Sequence, residues 1–294
     1  MTRRTFLRLA LFALLAGGVR VSKAQDAPTM SSKGIVCTNP TPTLLNPLNL
    51  GWYRTSFGSW CWNWQANMPQ GWVFNLHYTV PNSSDVTLAL ANPYHGNWWM
   101  IGGNEAATET NLATGLTWTP QEIANLVMAQ IDAVIAAQPT AKFCLAGGIQ
   151  THAPGNRWGN PVWIDGVLAL LPQSYKDKIK AIDFHWYSQV EYSANDTRIF
   201  NKAPIKRGIN DWKDWRTAKT WDVQLWLSEI GLTYSALVTA TNQQVIDYPL
   251  VVNLAAEETA LDRWCVYVLE GQPSYVCIYE NGLSGYGQTF AVVQ

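Results

Sequence analysis

Charge is scarce in this chain: Asp, Glu, Lys and Arg make up 14% of its 294 residues. No cluster of Lys and Arg stands out, so the electrostatic footprint of a nucleic-acid binder is missing. The four histidines, His77, His95, His152 and His185, lack metal-ligand spacing. No C-x-x-C pair suggests zinc or redox work. Neither a G-x-G-x-x-G loop nor another phosphate-binding loop is present, which weakens the case for an open doubly wound sheet. Gly282-Leu283-Ser284-Gly285 is not the G-x-S-x-G elbow of a serine esterase. After residue 24 no run is long and apolar enough for a transmembrane helix. Internal repeats and low-complexity tracts are also absent. The expectation is a protein that needs no cofactor and no metal and has no membrane partner once its leader is removed. Oligomeric state is not readable.

The leader is the first positive feature. Thr2-Arg3-Arg4-Thr5-Phe6-Leu7-Arg8 precedes an apolar run from Leu9 to Val19 and a small-residue exit at Ser22-Lys23-Ala24. That order is the n-region, h-region and cleavage site of an export signal. The paired arginines followed by Phe-Leu resemble a twin-arginine signal, with an ordinary secretory signal as the alternative. An exported protein, extracellular, periplasmic or at the cell surface, is therefore expected. Five of the 20 basic residues lie in residues 1–24, so 15 remain against 21 acidic ones, a net charge of −6. Anionic polysaccharides are disfavoured as substrates on that balance. The odd count of five cysteines (37, 61, 144, 265 and 277) leaves at least one free thiol in a monomer. Cys144 reads as a buried thiol, and Cys37–Cys61 and Cys265–Cys277 are open as pairs.

Tryptophan is abundant, with 16 residues. Indole faces stack on the apolar faces of sugar rings, but they also fill cores.

Residues 25–47 are rich in Pro, Ser, Thr and Asn and are expected to form an irregular arm. Residues 48–294 are one domain's worth of chain. Leu48–Tyr53 reads as the first strand and Trp72–Tyr78 as another. The run 87–93 reads as a strand or a short helix, with helix preferred because too few residues flank it for a parallel crossover, and a strand then leads to Glu105. Thr119, Pro120 and Glu122 form a capping box that opens a helix to Gln138. Further strands are expected at 142–146, 181–187, 223–229 and 274–279, and helices at 162–171, 209–219 and 253–270. This alternation implies a parallel sheet. The expected fold is α/β, a single (β/α)8 barrel with degenerate early βα units. Only seven strands are legible, and an open doubly wound sheet is the alternative.

Two segments carry the chemistry. Trp99-Met100-Ile101-Gly102-Gly103-Asn104-Glu105 and Leu225-Trp226-Leu227-Ser228-Glu229-Ile230-Gly231 are apolar runs that end in a glutamate. Carboxylates at the C-terminal ends of barrel strands are where (β/α)8 enzymes react. A glycosidase needs two of them. With no compensating Lys or Arg nearby in sequence, Glu229 is costly to bury unless function retains it. In Ile182-Asp183-Phe184-His185-Trp186-Tyr187, alternation puts Asp183, His185 and Tyr187 on one face.

These motifs resemble the retaining (β/α)8 glycoside hydrolases of clan A, the 4/7 superfamily, over residues 49–282. The resemblance implies Glu105 as acid/base, Glu229 as nucleophile, and Asn104 on the sugar 2-hydroxyl. It also implies that His185 and Tyr187 hold Glu229. The doubled Gly102-Gly103 and Ala106, where proline often follows, depart from the pattern. Trp52, Trp60, Trp99 and Tyr279 are candidates to stack on flanking sugars. The implied activity is cleavage of a neutral β-linked glucan, mannan or xylan by double displacement. The alternatives are a non-catalytic glycan-binding barrel and an inverting enzyme that pairs Asp183 with Glu229.

Overall fold

The structure is a computed structural model that describes residues 33–36, 48, 50, 52–56, 72–91, 95–146, 161–187, 201–231, 242–266 and 285–292. Eight parallel strands carry the fold: β1 (Lys33–Val36), β2 (Trp52–Ser56), β3 (Trp72–Asn75), β4 (His95–Ile101), β7 (Lys142–Ala146), β8 (Ile179–Tyr187), β9 (Gln224–Gly231) and β10 (Arg263–Val266). They pair in the order β1-β10-β9-β8-β7-β4-β3-β2, and β1 also pairs with β2, so the sheet closes on itself as a barrel. An open doubly wound sheet would leave two free edges, and here β1 is paired on both sides. Between β4 and β7 the chain makes a small antiparallel hairpin, β5 (Thr110–Asn111) and β6 (Leu116–Thr117).

The crossovers are helices α1 (Ser83–Leu90), α2 (Pro120–Ala137), α3 (Pro161–Leu170), α4 (Gln173–Lys176), α5 (Lys202–Ala218) and α6 (Asn242–Glu258), and α7 (Gly285–Val292) follows β10. The expected capping box opens α2: Thr119 and Glu122 bond each other's backbone N–H. Ile123, Val127, Ile131 and Val134 of α2 are buried against the sheet at helical spacing. Strands such as β7 and β9 are buried along almost their whole length because helices cover one face and the barrel interior the other.

The strand read first, at 48–53, is the second, Trp52–Ser56; the helices read at 87–93 and 209–219 are Ser83–Leu90 and Lys202–Ala218; and two further readings are corrected. The stretch expected as an irregular arm contains β1, whose Lys33 is fully buried. Its ammonium donates to the carbonyl of Phe290 at 2.9 Å and lies 5.0 Å from that ring, so β1 is tied to the end of α7. Burial lowers the Lys33 pKa to about 8. The helix expected over 253–270 ends at Glu258, and Arg263–Val266 is a barrel strand. Ala260 has φ 46°, a left-handed backbone that stops the helix. The strand expected at 274–279 lies outside the described residues.

Tryptophans plug the barrel. The Trp226 ring lies 5.4 Å from Trp52 and 4.6 Å from Trp98. The Arg263 guanidinium sits 4.4 Å from the Trp226 ring, 5.5 Å from Trp98 and 5.6 Å from Trp52. This aromatic layer replaces the branched aliphatic residues usual in barrel interiors. It also gives Arg263 a cation–π setting. Trp52 precedes Arg54 by two residues and Trp226 precedes Glu229 by three, so the plug forms the floor under the polar groups described next.

Candidate active site

The C-terminal ends of five strands converge on one polar cluster. Arg54 comes from β2, Asn75 from β3, Asn104 and Glu105 from the turn after β4, Asp183 and His185 from β8, and Ser228 and Glu229 from β9. Counted around the barrel, Glu105 follows the fourth strand and Glu229 lies on the seventh.

Two backbone features aim the acids. Gly102 and Gly103 have φ +85° and +97°, and a Cβ on Gly103 would lie 2.3 Å from the Tyr78 ring. Only glycine takes that turn cheaply, and it swings Asn104 and Glu105 back over the strand ends. In β9 the register slips: Phe184 pairs with Leu227, but His185 pairs with Glu229. Ser228 is the extra residue of a β-bulge, a device that re-aims side chains. Strict alternation would set Trp226 and Glu229 on opposite faces. Here Ser228 and Glu229 both reach Arg54.

Arg54 is the hub. Its guanidinium donates to Glu229 Oε1 at 2.5 Å, to Ser228 Oγ at 3.2 Å, and to Asn104 Oδ1. His185 bridges the two glutamates: Nδ1 lies 2.7 Å from Glu105 Oε1 and 3.5 Å from Glu229 Oε2. Its Nε2 approaches Asp183 Oδ2 at 3.3 Å. Asp183 is fully buried and accepts the Ser228 backbone N–H through Oδ1 at 3.2 Å. Asn75 is also fully buried, and its Oδ1 accepts the His77 N–H at 2.9 Å. Its Nδ2 has no partner among the described residues.

The electrostatics follow from burial and charge together. Burial alone would lower the His185 pKa. The carboxylates of Glu229 and Asp183, with Glu105 bonded to its ring, outweigh that and raise it to about 10. Burial likewise opposes charge on Arg54, and Glu229 and Asp183 raise its pKa regardless. His77, half-buried and near the Arg54 cation, falls to about 4 through desolvation and that charge and is neutral near pH 7. Glu105, His185 and Glu229 each offer one ligand atom within 4.8 Å of the others, which is the geometry of a cation site. The Arg54 charge on Glu229 and the proton held by His185 oppose a cation there.

The structure thus brings together Glu105, Glu229, Asn104 and His185. It places Trp52 and Trp99 elsewhere. Trp52 is 1% exposed in the plug. Trp99 is fully buried, donates to Gln138 Oε1 at 2.7 Å and packs 5.6 Å from Phe74, so neither can stack on a sugar. Trp60 and Tyr279 lie outside the described residues, as do Cys37, Cys61 and Cys277. The backbone of Tyr187 ends β8 opposite Gly231, and its side chain is not described. Cys144 is a buried thiol whose pKa burial pushes up.

Sequence reasoning missed Arg54, the counter-charge it judged absent. The one available signal was a lone arginine in the aromatic strand Trp52-Tyr53-Arg54.

No protein-family model and no curated protein matches the chain. Solved structures share its fold. An endo-β-1,3-glucanase of family GH128, subgroup II, from Sorangium cellulosum superposes with a TM-score of 0.58 at 13% identity, covering 89% of this chain and 98% of that one. A subgroup I GH128 endo-β-1,3-glucanase from Amycolatopsis mediterranei, in complex with laminaripentaose, gives 0.54 at 15% identity over 90% and 100%. The GH53 catalytic domain of Ignisphaera aggregans gives 0.55 at 9% identity over 92% and 97%. At these identities the likeness establishes the barrel fold.

Proposed function

We propose that this chain is an exported retaining glycoside hydrolase acting on a β-1,3-linked glucan, with Glu229 as nucleophile and Glu105 as acid/base. The observation that carries the reading is the approach of the two glutamates. One oxygen of each lies within 4.8 Å of the other beside one imidazole, in a cluster at the strand ends. Retaining enzymes hold their carboxyl groups about 5–5.5 Å apart, whereas inverting ones leave about 6.5–9.5 Å for a water. Asp183, fully buried and turned to Ser228 and His185, is a poor partner for an inverting mechanism.

The mechanism follows from the contacts. Arg54 keeps Glu229 ionised and pins Oε1, leaving Oε2 to attack the anomeric carbon. Glu105 passes to the departing glycosidic oxygen, as that bond breaks, the proton that His185 Nδ1 holds against it at 2.7 Å, and a glycosyl-enzyme forms on Glu229. A water then attacks the anomeric carbon while Glu105 takes its proton, which frees Glu229 with retained configuration. His185, hydrogen-bonded to Glu105 and close to Glu229, redistributes charge as the proton demand reverses between the steps. The amide of Asn104 supplies a donor for a sugar hydroxyl.

The substrate class rests on the glucanase neighbours, and export rests on residues 1–24. Reducing-sugar release from laminarin by the mature protein, beside Glu105→Gln and Glu229→Gln, tests the reading. Turnover that both substitutions abolish, with a first product of β configuration by NMR, is expected. An α product, or full activity in the Glu229→Gln protein, would overturn it.

A further inference from the structure

A third carboxylate adjoins the site. One turn links it to the acid/base: the backbone N–H of Glu109 donates to the Glu105 carbonyl at 2.8 Å. Glu109 Oε1 accepts from Asn104 Nδ2 at 3.1 Å, and Oε2 accepts from the Tyr78 hydroxyl. Tyr78 is itself fixed, stacked on Trp118 with ring centroids 4.6 Å apart and planes 6° from parallel. It also lies against Gly103, where no side chain would fit.

The two ends of an Asn amide are nearly the same size, so sterics do not choose between them. Hydrogen bonding does. On one side of Asn104 stands Arg54, which can only donate, and on the other Glu109, which when ionised can only accept. With both in place the amide has one orientation, Oδ1 toward Arg54 and Nδ2 toward Glu109. Burial and the adjacent Glu109 raise the Tyr78 pKa, so its hydroxyl keeps the proton it donates. An amide has two Nδ2 hydrogens, and Glu109 takes one.

We infer that Glu109, braced by Tyr78, is a positioning residue that fixes the Asn104 amide so that its second N–H is presented to the substrate. This rests on the hydrolase reading above. Glu109 touches no reacting atom, and its effect passes through Asn104.

A double-mutant cycle with Asn104→Ala tests it, using kcat/KM on laminari-oligosaccharides. Thermal melting confirms that each variant is folded. Glu109→Gln, which replaces the charged acceptor by an amide that can also turn a donor toward Asn104, is expected to cost about tenfold to a hundredfold, the range for losing a hydrogen bond to a charged group. In the Asn104→Ala background the same change is expected to cost less than about twofold. Tyr78→Phe removes the brace and keeps the ring, and it should show the same dependence on Asn104. An undiminished Glu109→Gln effect without Asn104, or no effect with it, overturns the inference.

A second readout does not need turnover. The side-chain amide resonances of Asn104, assigned by their loss in Asn104→Asp, should move in Glu109→Gln. If the wild type hydrolyses no glucan, the hydrolase reading fails by itself. The positioning role then stands if those resonances move and falls if they do not.

Discussion

Replacing Arg54 by methionine probes the cluster most directly. The Arg54 side chain is 3% exposed and that of Glu229 10%, and the charged atoms approach at 2.5 Å. Methionine fills similar space but removes the charge and the hydrogen bonds to Glu229, Ser228 and Asn104. Glu229 and Asp183 then share the barrel interior with His185 as the one remaining cation of this cluster. Removing one partner of a buried ion pair costs about 3–5 kcal/mol, because the other charge stays buried. For a domain of this size that amounts to a fall in Tm of about 6–20 °C. The cost should be nonadditive. Glu229→Gln removes the stranded charge, so the double variant should melt above the value predicted by summing the single losses. Arg54→Lys keeps the charge but loses the two-armed reach to Glu229 and Asn104, and it should fall between wild type and methionine. Scanning calorimetry of the wild type and the four variants at one pH is sufficient. A loss of less than about 2 °C in Arg54→Met, below the scale of 1 kcal/mol, would refute the claim that Arg54 is the counter-charge that lets Glu229 be buried.

The two histidines bound the stability profile from opposite sides. The His185 pKa is raised to about 10, so its contribution is complete below the unfolded value near 6.5 and is lost as pH rises toward 10. The His77 pKa is lowered to about 4, so stability falls as pH drops from about 6.5 to 4. Melting temperature should therefore peak near neutral pH. His77→Asn, tolerable at φ 46°, should flatten the acid limb alone, and an unchanged limb would contradict the assignment. Gly103→Ala puts a Cβ 2.3 Å from the Tyr78 ring at φ +97°. It should cost about 1–3 kcal/mol and lower laminarin turnover by displacing Asn104. A melt within 1 °C of wild type would show that the turn is not strained.

What the sequence made legible was local. The Glu105 and Glu229 motifs are visible because an apolar run that stops at a carboxylate is anomalous on its own terms. Helix α2 is visible because Thr119, Pro120 and Glu122 satisfy its first turn without outside help. Asp183 and His185 were placed together correctly by strand alternation.

The rest depended on partners distant in sequence. Lys33 is polar in a Pro- and Ser-rich neighbourhood, and only the carbonyls at the end of α7, more than 250 residues away, make it a barrel residue. Trp52 and Trp99 carry the same indole a sugar platform would need. What decides their role is which face of a closed barrel each occupies, against Trp226 in one case and Gln138 in the other. Alternation misjudges Glu229 because the bulge at Ser228 appears only against the register of β8. Arg54 compensates Glu229 across 175 positions, a pairing no local window contains. Sequence by itself determined which residues carry reactive groups and the kind of elements that hold them, since both are set by residue chemistry and short-range periodicity. Closure of the barrel decided which groups meet and at what charge, since strand pairing and burial are settled between residues far apart in the chain.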